Sequence, residues 1–212
     1  MRTAFAVLAL SLFATAGQAR PVTYPGGSMS MTEVDGSFVL TQVEHTLNRK
    51  VAVGVYALTE NNGERRSAGI IGNYLVMRRN TEDSQANMYL MGGLGPSWIR
   101  KPGNAGRDTV VSGFVGTEAD WETRRYFVSA GANLSVVGND TEAGWRTRVG
   151  IAPYVANSGS LHTWLMLQVG RAASPGRKTD VTPLVRLFKG PMLFEAGVSH
   201  RGRAFGTLWF YF

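Results

Sequence analysis

The stretch Arg203-Ala204-Phe205-Gly206-Thr207-Leu208-Trp209-Phe210-Tyr211-Phe212 decides the fold class. Read in steps of two, Ala204, Gly206, Leu208, Phe210 and Phe212 share one side of an extended strand, because successive strand side chains point to opposite faces. Chain ends are ordinarily polar and frayed. An alternating aromatic end fits a strand that closes a barrel whose outer face meets lipid. The competing expectation is the buried last strand of a soluble sandwich.

Working back from this stretch, the same period-two pattern recurs between turn signals. Strands are expected over 28–34, 37–46, 50–59, 68–79, 87–98, 109–119, 125–137, 145–156, 161–171, 179–188, 192–199 and 204–212. Asp35-Gly36 is a favoured two-residue hairpin turn. Glycine interrupts nearly every segment and β-branched and aromatic residues are frequent, which disfavours helices. The expected fold is all-β, an antiparallel transmembrane β-barrel of about twelve strands, or ten if the first hairpin is irregular. With both ends in the periplasm, the connectors at 48–49, 157–160 and 189–191 fall inside and are short. Those at 60–66, 100–107, 138–144 and 172–178 fall outside and are longer, the asymmetry of such barrels.

The chain opens with Met1-Arg2, an apolar stretch over 4–16 and the small-residue exit Gly17-Gln18-Ala19, the pattern of a secretory signal peptide. Residues 1–19 are expected to be removed, leaving 20–212 as one barrel domain whose residues 20–26 form an irregular lead-in. There are no cysteines, so disulfides and thiolate chemistry are excluded. Mean hydropathy is −0.07 and no run in the mature chain reaches the roughly 20 apolar residues of a spanning helix. Net charge is +7 without a basic helix or Lys/Arg tract, so no nucleic-acid partner is expected.

Alternation also sorts faces. In 161–171 the side carrying Leu161, Thr163, Leu165, Leu167 and Val169 meets lipid. Glu44, Glu118, Asp120, Arg146, Arg148, Arg186 and Glu195, with Gln42 and Tyr154, are expected to point into the lumen, because a charge facing the bilayer midplane costs about 2–4 kcal/mol. Two readings follow: an ion-pair network filling a small barrel, or a narrow pore whose Arg and Glu rows select solutes. Trp98, Trp121, Trp145, Trp164, Tyr24, Tyr56, Tyr126 and Tyr154 are expected at the membrane interfaces. Arg65, Arg66, Arg100, Lys101, Arg107, Arg177 and Lys178, with Arg171, Arg201 and Arg203, are expected at the outer rim, where lipopolysaccharide phosphates would meet them.

Candidate chemistry is thin. Outer-membrane phospholipase and the lipid A deacylases carry a His and a Ser two apart on one strand face. No His-x-Ser occurs here, and the reversed Ser160-Leu161-His162 sits at an inner turn. His45, His162 and His200 lack metal-ligand spacing, and Met29, Met31, Met88 and Met91 read as filler, so no metal or cofactor is expected.

The apolar row ending in Leu208, Phe210 and Phe212 resembles the end of bacterial outer-membrane barrels, where it implies recognition by the barrel-assembly machinery. Ser84-Gln85-Ala86-Asn87-Met88-Tyr89-Leu90, Glu118-Ala119-Asp120-Trp121-Glu122-Thr123-Arg124-Arg125-Tyr126 and Val181-Thr182-Pro183-Leu184-Val185-Arg186 resemble a family of uncharacterised proteobacterial outer-membrane proteins. The resemblance implies a fold and a Gram-negative outer-membrane location, and no catalytic residues. The expected function is a non-enzymatic narrow channel or structural envelope protein, with a barrel-embedded lipid hydrolase as the alternative.

Overall fold

The computed structural model describes residues 21–60, 63–101, 103, 106–157 and 159–212; the expected signal peptide lies outside them. Twelve strands form in chain order: β1 (Ser28–Asp35), β2 (Phe38–Thr46), β3 (Val51–Glu60), β4 (Arg65–Asn80), β5 (Ser84–Arg100), β6 (Arg107–Thr123), β7 (Tyr126–Val137), β8 (Asp140–Ile151), β9 (His162–Arg171), β10 (Asp180–Lys189), β11 (Met192–Val198) and β12 (Ala204–Tyr211). Each pairs antiparallel with its sequence neighbours, and β12 returns to β1 through Met29↔Tyr211 to Asp35↔Phe205, closing the barrel. Among the described residues, closure leaves no edge strand. The first hairpin is regular, so the ten-strand count is set aside.

The outer wall shows why the barrel spans a membrane. Ile70, Leu94 and Val111 are 66%, 58% and 71% exposed, and Leu165, Val149, Phe194, Leu208 and Phe210 share the outward parity. Outward-pointing charges in the described strands occur only near strand ends, at Arg66, Arg79, Arg100, Arg107, Arg171 and Lys189. Outward Trp121, Tyr126, Phe210 and Phe212 mark the end that holds the chain terminus, and Trp98 and Trp145 mark the opposite, loop end. Tyr56 and Trp164 do not join these girdles. Both point inward and pack edge-on against Phe114 and Phe127, with ring centroids 5.5 and 6.3 Å apart.

Connector lengths depart from expectation. The 138–144 loop shrinks to a turn at Gly138 and Asn139, because Asp140 and Glu142 already alternate inward as the start of β8. The inner connector at 157–160 lengthens to 152–161, and 120–123 belongs to β6. Short inner turns and long outer loops therefore do not distinguish the two ends. Instead β4, β5 and β6, at 16, 17 and 17 residues, make one wall taller than the rest. A bulge between Leu75 and Met77 flips the side-chain parity of β4, so Arg78 turns inward opposite Asn87.

Candidate functional site

Strand register gathers the lumen charges into one system. Glu33 of β1, Arg146 and Arg148 of β8, Arg186 of β10 and Glu195 of β11 all carry the inward parity of their strands. Arg146 Nη1 donates to both Glu33 carboxylate oxygens at 3.1 Å. Glu195, 1% exposed, accepts from Arg148 Nη1 at 3.1 and 3.2 Å and from Arg186 Nε at 2.6 Å. Arg148 Nε donates to Gln168 at 2.7 Å, while its Nη2 is buried without a protein acceptor. The guanidiniums of Arg148 and Arg186 lie 5.4 and 4.6 Å from the ring centroids of Phe205 and Phe127. Glu118 and Asp120 face them from β6, Asp120 accepting from Asn87 Nδ2 at 2.7 Å. Glu44 sits apart, 2% exposed, taking amide donors from Gln42 at 2.9 Å and from Asn73. All seven lumen candidates thus face inward. Glu33 shares the parity of Met29 and Met31 and was legible by the same alternation; Arg78 was not, because no sequence signal marks the bulge.

Toward the loop end the lumen is filled. The Phe114 ring lies against Gly93, where an added Cβ would stand 2.4 Å from it, so only glycine admits this ring. Ser67, Ser97 and Ser112 form a buried hydroxyl chain at 2.5 and 2.7 Å that ends on the Gly95 carbonyl at 3.0 Å. The connector 172–179 folds over the mouth: Ser174 is buried, and Arg177 Nη2 reaches Asp35 Oδ1 on β1 at 2.9 Å. Arg203 pairs with Asp180 beside it. Burial pushes the Arg203 guanidinium below its ordinary value, with Arg177 adding to that and Asp35 opposing it.

Toward the terminal end the lumen is open. The lead-in turns back inside: Val22 is fully buried, and Arg78 donates to its carbonyl at 3.1 Å, to Tyr89 Oη at 3.1 Å and to Asn87 Oδ1 at 2.7 Å. Ala156 of the connector 152–161 covers part of the rim, its carbonyl held by Arg124 at 3.2 Å. Between these lies a cavity of about 490 Å³, reaching inward as far as Glu33, Glu118 and Arg146. Its charge is divided. Glu118, Asp120 and Glu122 line the β6 wall, and Arg146, Arg148 and Arg186 line the β8 and β10 walls.

The remaining candidates disperse. His162 points inward beside Phe188, while Ser160 lies in a connector; Tyr154 leaves the lumen and bonds Leu161 and Thr163. Met88 and Met91 occupy opposite faces of β5. No group of three or more acidic or His side chains among the described residues could hold a metal. A pair that alternation alone did not reveal is Ser28 and His45, bonded Oγ to Nδ1 at 3.0 Å on the outer wall near the terminal end. Of the basic residues, Arg65 faces inward and pairs with Glu60, Lys101 pairs with Asp108 at 2.8 Å, and Arg177 is held by Asp35. Arg66, Arg100 and Arg107 project outward and Lys178 lies in a loop-end connector.

No protein-family model matches the chain, and no curated protein matches it. Among solved structures it is similar to Acinetobacter baumannii OccAB1, with 7% identity and a TM-score of 0.45 over 82% of this chain and 56% of that one. It is also similar to Pseudomonas aeruginosa OccK8 (OprE), with 10% identity and a TM-score of 0.44 over 86% of this chain and 62% of that one. The chain therefore spans under two thirds of the length of either. It is an all-antiparallel, closed twelve-stranded transmembrane barrel with an ion-lined interior.

Proposed function

We propose that this chain is a non-enzymatic, narrow channel of a Gram-negative outer membrane, exported through residues 1–19 and related to the proteobacterial family that its three quoted segments resemble. The observation that carries the reading is the charge-divided cavity, open at the terminal end and stopped at the loop end by Phe114 and the Arg177–Asp35 clamp. Seven carboxylates line it against four guanidiniums, a balance that favours small cations. The outward row Leu208, Phe210 and Phe212 serves as the signal read by the barrel-assembly machinery. Ion conductance of the refolded protein across planar bilayers tests the channel, and membrane fractionation with heat-modifiable gel mobility tests the location. A folded barrel that never conducts, in wild type or with the clamp cut, would reduce the role to a structural one.

A second reading, a barrel-embedded lipid hydrolase, has one observation in its favour. Ser28 and His45 form a nucleophile-base pair on the wall that meets lipid. Among the described residues no carboxylate bonds the second nitrogen of His45. Fatty acid released from phospholipid vesicles by the wild type, and lost in Ser28→Ala and His45→Ala, would establish it in place of the channel.

A further inference from the structure

We infer that the outer wall of β4, β5 and β6 carries a phosphate-binding site for lipid A, built from Arg66, Arg100 and Arg107 around Trp98. The inference rests on the outer-membrane reading, with the loop end facing outward. Three adjacent strands present these residues close together: Arg66 is paired with Trp98, and Arg100 is paired with Arg107 two residues further toward the loop end. Their parity is that of Ile70, Leu94 and Val111, so all three guanidiniums project from the lipid-facing wall.

No ion pair within the described residues neutralises them. Arg66 and Arg100 make no side-chain bond, and Arg107 donates only to the backbone carbonyls of Gly63, Glu64 and Trp98, at 2.9, 3.4 and 3.3 Å. Apart from Lys178 in the 172–179 connector, the other basic residues of this rim differ. Arg65, Lys101, Arg171, Arg177, Arg201 and Arg203 all meet a carboxylate. Three unneutralised guanidiniums at the rim of a lipid-facing wall are placed to meet an anion at the bilayer surface.

A shallow groove of about 360 Å³ runs between Thr59, Arg66, Trp98 and Arg107, floored by Ala57 and Ala68. Below it, Ile70, Leu94 and Val111 form an apolar wall for acyl chains. Phosphate above and acyl chain below is the layout of an anionic lipid. The clustering of three charges favours the phosphorylated sugar headgroup of lipid A over a single phosphodiester.

Thermal unfolding of the refolded full chain in detergent, titrated with bisphosphorylated lipid A, tests this without reference to conduction or cell location. Wild type should be stabilised, while dephosphorylated lipid A, phosphatidylglycerol and inorganic phosphate at equal concentration should not stabilise it. In Arg66→Ser/Arg100→Ser/Arg107→Ser the apparent affinity should fall at least about tenfold. Arg66→Ser/Arg100→Ser, which keeps the Arg107 loop contacts, guards against loss of folding and should fall in the same direction. An undiminished shift in both variants, or equal stabilisation by dephosphorylated lipid A, phosphatidylglycerol or phosphate, would overturn the site. Failure of the outer-membrane reading would appear separately, in fractionation.

Discussion

The two halves of the lumen are built from opposite materials. At the loop end β4 to β6 contribute Gly93, Ser67, Ser97, Ser112 and Phe114, side chains that either fill space or satisfy one another. At the terminal end β6, β8, β10 and β11 contribute carboxylates and guanidiniums around an open cavity. Both halves differ from a soluble core in the same way: polar groups line the inside, and apolar side chains such as Ile70, Leu94 and Val111 face out. The contrast between the halves suits them to different work. On the proposed channel reading, the loop half would hold the barrel shut and the terminal half would set which ions can enter.

The largest expected effect comes from removing the carboxylate that anchors the terminal half. Glu195→Ala leaves the buried Arg148 and Arg186 guanidiniums without their shared acceptor and should cost about 3–5 kcal/mol in urea unfolding of the refolded barrel. A cost near zero would mean that water already screens the group. Phe114→Ala in the loop half should cost up to about 3 kcal/mol by emptying the space over Gly93, and should raise conductance as well. Ser97→Ala breaks a neutral hydroxyl chain and should cost only about 1 kcal/mol. Stability is thus expected to hang on charge in one half and on packing in the other.

Selectivity gives a smaller effect of defined sign. Glu118→Gln/Asp120→Asn/Glu122→Gln should shift the reversal potential in a KCl gradient toward anions, and Arg146→Gln toward cations. Equal and unchanged potentials in both variants would detach the cavity from the ion path.

Much of this architecture was legible in period two. The parity that put Leu208, Phe210 and Phe212 outside also puts Trp209 and Tyr211 inside, and the twelve strands lie close to the expected spans. What stayed hidden has a common cause: polar residues that line a lumen look like loop residues. Asp140 and Glu142 therefore read as a long connector although they begin β8, and 120–123 read as a turn although β6 continues through it. The Arg78 network depends on a bulge, the fold-back of Val22 on contacts with β4 and β5, and the clamp on Arg177 reaching β1, 142 residues away in sequence. Alternation carries no information about any of these. The split of the basic rim into paired and unpaired residues likewise needed the third dimension.

The central claim is that the loop half closes a conducting terminal half, and single-channel recording of the clamp variant tests it most directly. Arg177→Ser/Asp35→Ser, reconstituted beside wild type in planar bilayers, should conduct more than wild type and keep its cation preference, because the Glu118–Asp120–Glu122 wall is untouched. A correctly folded clamp variant whose conductance equals that of wild type, or whose preference reverses, would contradict the account.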